Sequence, residues 1–258
     1  MKKTLIAMIV TTFAAVSGSA MAWTANGSGG NVDLGGTLTP VEKATPWEVK
    51  VGTAMTGLDA QIQKGQTNVD IPVKEAIQVL GIRTQSARPF HGLAGIAPQI
   101  DFNGHVDIDG FKAGLTTVRL DINDDTGSKI GTMESKILAA GVTSYRNAMD
   151  AYNNYLIAPD SGDAFYGGIY KSDQYTDGLS ERILNVFGSE LNANYDNQNS
   201  AQRSASKENY IDENATFSAY YGSGIESGQL IAITLDQPAS GDAPIAWKAS
   251  LPVTVFYQ

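Results

Sequence analysis

Hydrophobic and polar positions alternate in short runs along most of the chain, the period of half-buried β-strands. Near the front, Val32, Leu34, Gly36 and Leu38 fall on one face of an extended segment, with Asp33, Gly35, Thr37 and Thr39 on the other. Thr24 to Gly30 before it is small, polar and glycine-rich, and Pro40 to Pro46 after it is a short spacer. A well-patterned strand on a loose tether suits pairing with another molecule. An ordinary first strand of the chain's own sheet is the competing account.

The alternation then continues. Trp47, Val49 and Val51 share a face, as do Val69, Ile71 and Val73, and apolar residues run from Ile77 to Ile82. A strand is predicted within Ile96 to Phe102, followed by the turn signal Asn103-Gly104; Val106 and Ile108 lead to a second, Asp109-Gly110. Leu115 to Ile122 is a clear strand, joined through Asn123 to Ser128 to a partner over Ile130 to Leu138. Near the end, Ala215 to Tyr221 reads as a strand, Gly222 to Gly228 as a turn region, and Leu230 to Leu235 as a strand buried on both faces. The last strand carries Trp247, Ala249, Leu251, Val253, Val255 and Tyr257 in strict alternation. Many short strands with Gly/Asn/Asp punctuation predict an all-β sandwich.

From Ala139 to Glu213 the pattern changes. Tyr145, Met149, Tyr152 and Leu156 fall at helical spacing and predict a helix over Thr143 to Ile157. A second is predicted from about Gly178 to Ala193, with Asp177 as N-cap and Leu179, Ile183, Phe187 and Leu191 on one face. Asn192 to Asn209 is polar and reads as a loop. The stretch 141–213 is therefore expected to be a partly helical insertion between strands.

Composition narrows the setting. Lys2 and Lys3, an apolar run from Leu5 to Val16, and Ala20-Met21-Ala22 have the pattern of a secretory signal peptide over residues 1–22. The mature chain then starts at Trp23, with 23–40 as an N-terminal extension and 41–258 as one domain large enough to stand without staples. Export is expected, although the chain has no cysteine. That excludes disulfides, zinc–thiolate sites and a cysteine nucleophile. A net charge of −9 repels phosphate backbones, which argues against nucleic-acid partners.

Catalytic, metal and cofactor chemistry find little support. His91 and His105 lie in predicted loops and read as solvated side chains. Asp121, Asn123 and Asp125 imitate the start of a calcium loop, but Thr126 and Thr132 stand where glycine and glutamate belong, so a hairpin turn is the better account. No nucleophile motif of the G-x-S-x-G type occurs, and the chain is not expected to be an enzyme. The tyrosines Tyr152, Tyr155, Tyr166, Tyr170 and Tyr175 are candidate glycan contacts, because aromatic faces stack on sugars; packing of these rings against the sheets is the competing account.

At both ends the sequence resembles the kappa-class subunits of chaperone–usher fimbriae, the FaeG-type major adhesive subunit and its minor-subunit relatives. Trp23, Asn31 to Thr39 and Trp47 to Gly52 carry the resemblance at the front; Tyr221 to Ile225, Gly228 and Trp247 to Tyr257 carry it at the back. The resemblance implies an incomplete immunoglobulin-like β-sandwich lacking its last strand, completed by a strand from a neighbour. Val32, Leu34, Gly36 and Leu38 would then be the donated residues. Leu251, Val253, Val255 and Tyr257 would line the receiving groove and contact a periplasmic chaperone. Implied partners are that chaperone, an outer-membrane usher, neighbouring subunits and host glycans; the implied location is cell-surface fimbriae. A glycine that many pilins carry near the last strand is Ile245 here. The rival class is a secreted carbohydrate-binding or carbohydrate-active protein with a complete sandwich.

Overall fold

The computed structural model describes residues 34–39, 44–172 and 178–258. The signal-peptide region, Val32, Tyr175 and the expected cap Asp177 lie outside the described residues. The chain divides into two units, 1–43 and 44–258. In the first, residues 34–39 make no strand pairing, and Leu34 and Leu38 are 93% and 96% exposed.

The second unit is mostly β. Its strands are β1 (Trp47–Val51), β2 (Asn68–Pro72), β3 (Ile77–Thr84), β4 (Phe90–His91), β5 (Pro98–Asp101), β6 (Leu115–Asn123), β7 (Lys129–Arg146) and β8 (Ala151–Leu156). After the short helix α1 (Leu179–Phe187) come β9 (Gln202–Ser206), β10 (Thr216–Ile225), β11 (Leu230–Leu235), β12 (Lys248–Ala249) and β13 (Thr254–Tyr257). Every pairing is antiparallel except β8 with β9.

Strand β7 organises the sheet. Its first half pairs with β6 and β11, and its second half pairs with β8 and β10. One group of strands therefore runs β12-β6-β7-β11-β2 and the other β1-β3-β10-β7-β8-β9. Alternation on β6 places Val118, Leu120 and Ile122 in the core, joined by Ile231 and Ile233 of β11. β13 pairs separately with β5.

Several expectations are corrected. The first is the helix over Thr143 to Ile157, which is instead the hairpin from β7 to β8. Asn147 makes the turn: its side-chain oxygen accepts from the backbone N–H of Met149 and Asp150 at 2.9 and 2.8 Å. Tyr145 and Tyr152 meet across the two strands, with ring centroids 4.6 Å apart and planes 8° from parallel. A seven-residue spacing that puts two rings on one helical face also puts them opposite each other across a four-residue turn.

The second is the turn region from Gly222. β10 continues through it to Ile225, buried at every position from Phe217. One face of β10 receives α1. A Cβ on Gly222 would come within 2.6 Å of Ile183, and one on Gly224 within 2.6 Å of Val186. These glycines make a flat seat for the helix, whose buried face is Leu179, Ile183, Val186 and Phe187. The other face carries Tyr221, stacked on Phe165 with its hydroxyl donating to Gly168 at 3.1 Å.

The third is β11, which is buried on only one face; Leu230 and Ala232 are exposed. The predicted second helix forms but ends at Phe187, where Gly188 at φ 80° stops it. Gly178, and no side chain, caps its start. Residues 202–206, expected as loop, form β9.

Candidate functional site

The C-terminal segment alternates as its sequence predicts. Trp247, Ala249, Leu251, Val253, Val255 and Tyr257 are half-buried against the core, while the residues between them are exposed. Its hydrogen bonding is one-sided. β12 pairs only with β6, β13 pairs only with β5, and residues 250–253 make no backbone bonds among the described residues.

A second segment shares this property. After β1, whose one partner is β3, residues 53–62 form no regular structure and no backbone hydrogen bonds among the described residues. Leu58, Ala60 and Ile62 alternate along it, with Leu58 packed against the core. Val51 is 59% exposed and Met55 is also exposed, which leaves apolar surface along its length.

The C-terminal segment meets residues 60–62 at one end and, through Ile96 and Ala97, lies beside the start of β1 at the other. At one end, Ala60 and Ile62 share a cleft of about 60 Å³ with Ile245 and Trp247. Its floor is Ile71, Ile122 and Ile233, residues of the core itself. A space of that size holds an aliphatic side chain or a few waters, and every side chain lining it is apolar. At the other end, the Trp47 indole N–H donates to the backbone carbonyl of Ile96 at 2.6 Å. Next to it, Ala97 and Gln258 exchange backbone bonds at 3.0 and 3.1 Å. Two unpaired backbone edges thus run in opposite directions beside core side chains that reach the surface. Such an edge is a template for another strand.

Among the expected site residues, the structure brings Leu251, Val253, Val255 and Tyr257 together along one edge. Leu34 and Leu38 are exposed, and a Cβ on Gly36 would meet nothing within 4 Å. Sequence reading missed the 53–62 edge and the cleft floor. The alternation of Leu58, Ala60 and Ile62 was the available signal, masked by the small and polar residues around it.

The candidate glycan tyrosines do not form one patch. Tyr155 and Tyr170 are buried, which takes them out of reach of a ligand at the surface. Tyr166 is half-buried, and Tyr152 is half-buried on the Tyr145 ring. Of the remaining candidates for chemistry, His105 bonds the Arg119 carbonyl at 3.1 Å, and Asp121 pairs with Lys129 at 2.7 Å. Asp124 accepts from the Thr126 hydroxyl at 2.7 Å and from the backbone N–H of Ser128 and Thr126, which holds the β6–β7 turn and lowers its pKa.

A half-buried carboxylate lies elsewhere. The Glu208 carboxylate accepts from the backbone N–H of Asn209 and Tyr210 at 2.9 and 3.2 Å. Burial pushes its pKa up, and Asp212 and Asp163 push the same way. Burial likewise raises the Tyr220 hydroxyl to about 12.

A protein-family model described as "Fimbrial, major and minor subunit" matches residues 1–258. Three Escherichia coli proteins are similar over 100% of both chains: K88 fimbrial proteins AC, AB and AD, at 28%, 29% and 28% identity.

Proposed function

Because the chain belongs to the family of fimbrial major and minor subunits, we propose that it polymerises by donor-strand exchange through the chaperone–usher pathway. In this reading, unit 44–258 is an immunoglobulin-like β-sandwich without its last strand. The observation that carries the reading is the pair of edges, 53–62 and 250–257, each with a free side and flanking a cleft floored by Ile71, Ile122 and Ile233. The segment around Leu34 and Leu38 from a neighbouring subunit is the strand that fills it, with Val32 and Gly36 completing its inward face.

The energetics favour this occupant. Three or four aliphatic side chains buried at roughly 1.5–3 kcal/mol each contribute on the order of 5–10 kcal/mol, before backbone pairing is counted. Until a neighbour arrives, a periplasmic chaperone supplies the missing strand beside Leu251, Val253, Val255 and Tyr257, and an outer-membrane usher exchanges it. The product is a surface fibre that contributes to adhesion to host cells. Tyr152 and Tyr166, the half-buried rings, are the glycan contacts this reading retains.

Deletion of Trp23 to Pro40 tests it. The truncated subunit is expected to accumulate bound to its chaperone and to form no fibres by electron microscopy. Fibres built from the truncated chain would overturn the proposal.

A further inference from the structure

The strip between the two edges has distinguishable ends. Trp47, the first residue of β1, and Gln258, the last of the chain, flank Ile96 and Ala97 at one end. At the other, three turns gather: Gly65 N–H bonds the Ala239 carbonyl at 2.8 Å, and Asp236 N–H bonds that of Ile130 at 2.9 Å. The Ile245–Trp247 cleft opens there as well.

A strand inserted between edges of opposite direction is antiparallel to one and parallel to the other, so pairing geometry alone does not orient it. Connectivity does. The spacer from Thr39 to Pro46 spans at most roughly 30 Å. The donating subunit must therefore abut the end of the strip where Leu38 emerges. Every copy's own spacer leaves from its Trp47 end. Were the donated strand parallel to β13, Leu38 would emerge beside Gln258, and both neighbours of a subunit would crowd its Trp47 end. With the strand antiparallel to β13, Leu38 emerges at the turn end, leaving one neighbour at each end. A head-to-tail contact that does not close is a filament.

Resting on the donor-strand reading, we propose that consecutive copies also touch through two surfaces outside the strip: turns 123–128 and 236–245 of one copy against loop 84–96 of the next. The charges agree. The turn end presents Asp125 and Asp236, while Lys64 and Lys129 are engaged by Asp242 and Asp121. Loop 84–96 presents Arg88, exposed and without an ion pair among the described residues. This contact braces the order and orientation of subunits that connectivity sets along the fibre.

The absence of cysteine makes the test clean. A chain carrying both Asp125→Cys and Arg88→Cys is assembled into fibres and treated with a short bismaleimide. The expected result is a ladder of covalent multimers on a denaturing gel, with each single variant remaining monomeric. Ser240→Cys with Ser86→Cys, which leaves both charges in place, is expected to give the same ladder. Intact fibres without a ladder from either pair, or dimers from Arg88→Cys alone, overturn the stacking while leaving the donor-strand reading standing. Failure of the unmodified chain to form fibres overturns that reading itself.

Discussion

The indole nitrogen of Trp47 donates to the backbone carbonyl of Ile96 across 2.6 Å, tying the first strand to the segment that also holds the C-terminus. Both residues are buried. Trp47→Phe keeps an aromatic ring against Phe90, 5.1 Å away between centroids, but orphans the carbonyl. A buried polar group left without its partner costs about 1–3 kcal/mol. Urea unfolding is expected to show a loss of that size, and a larger one, about 3–5 kcal/mol, for Trp47→Ala.

Gly222 is required by the helix above it. A methyl there would sit 2.6 Å from Ile183 and 2.9 Å from Leu191, both packed side chains. Gly222→Ala is expected to lower stability by about 1–3 kcal/mol through overpacking. Because the conflict is with Ile183, the pair Gly222→Ala and Ile183→Ala is expected to cost less than the two changes summed. Thermal melts of the four proteins in this cycle measure the coupling.

Glu208 makes stability depend on pH. Its folded carboxyl binds a proton more tightly than in the unfolded chain, chiefly through burial. Folding therefore takes up a proton just above 4.5, the ordinary value of a glutamate carboxyl. Through that window the contribution of Glu208 to stability falls as pH rises. Glu208→Gln is expected to flatten the fall in melting temperature as pH rises above the ordinary glutamate value, because its amide oxygen can still accept from Asn209 and Tyr210. A curve as steep as the parent's would assign the dependence to other groups.

Much of the fold was legible where one face of a strand meets water. The last strand alternates in sequence and in burial from Trp247 to Tyr257, and β6 does the same. Legibility failed where both faces are covered. The second half of β7, around Ala139, Ala140 and Gly141, is buried throughout and shows no period. Gly222 and Gly224 look like turn residues because their role is to admit α1, a tertiary demand with no local signature. The 53–62 edge was hidden for a different reason: without a paired neighbour on either side, its residues lack the β-rich composition of a finished strand.

Leu34 and Leu38 are exposed in the isolated chain, so their contribution is expected only in the assembled fibre. Leu34→Asp with Leu38→Asp places two charges where burial is required, and moving an unpaired charge out of water is costly. Fibres are expected to vanish by electron microscopy, while the yield of chaperone-bound subunit stays unchanged. A parallel fall in that yield would point to a role for these residues in folding the subunit's own domain.

The most direct measurement is a melt of the chain lacking Trp23 to Pro40, with and without a synthetic peptide spanning Asn31 to Thr39. A peptide that completes the domain raises its melting temperature saturably. At a hundredfold excess over its dissociation constant it adds about 2.7 kcal/mol, and the Leu34→Asp, Leu38→Asp version adds nothing. A truncated chain that is already stable, and whose melting the peptide leaves untouched, would contradict the account.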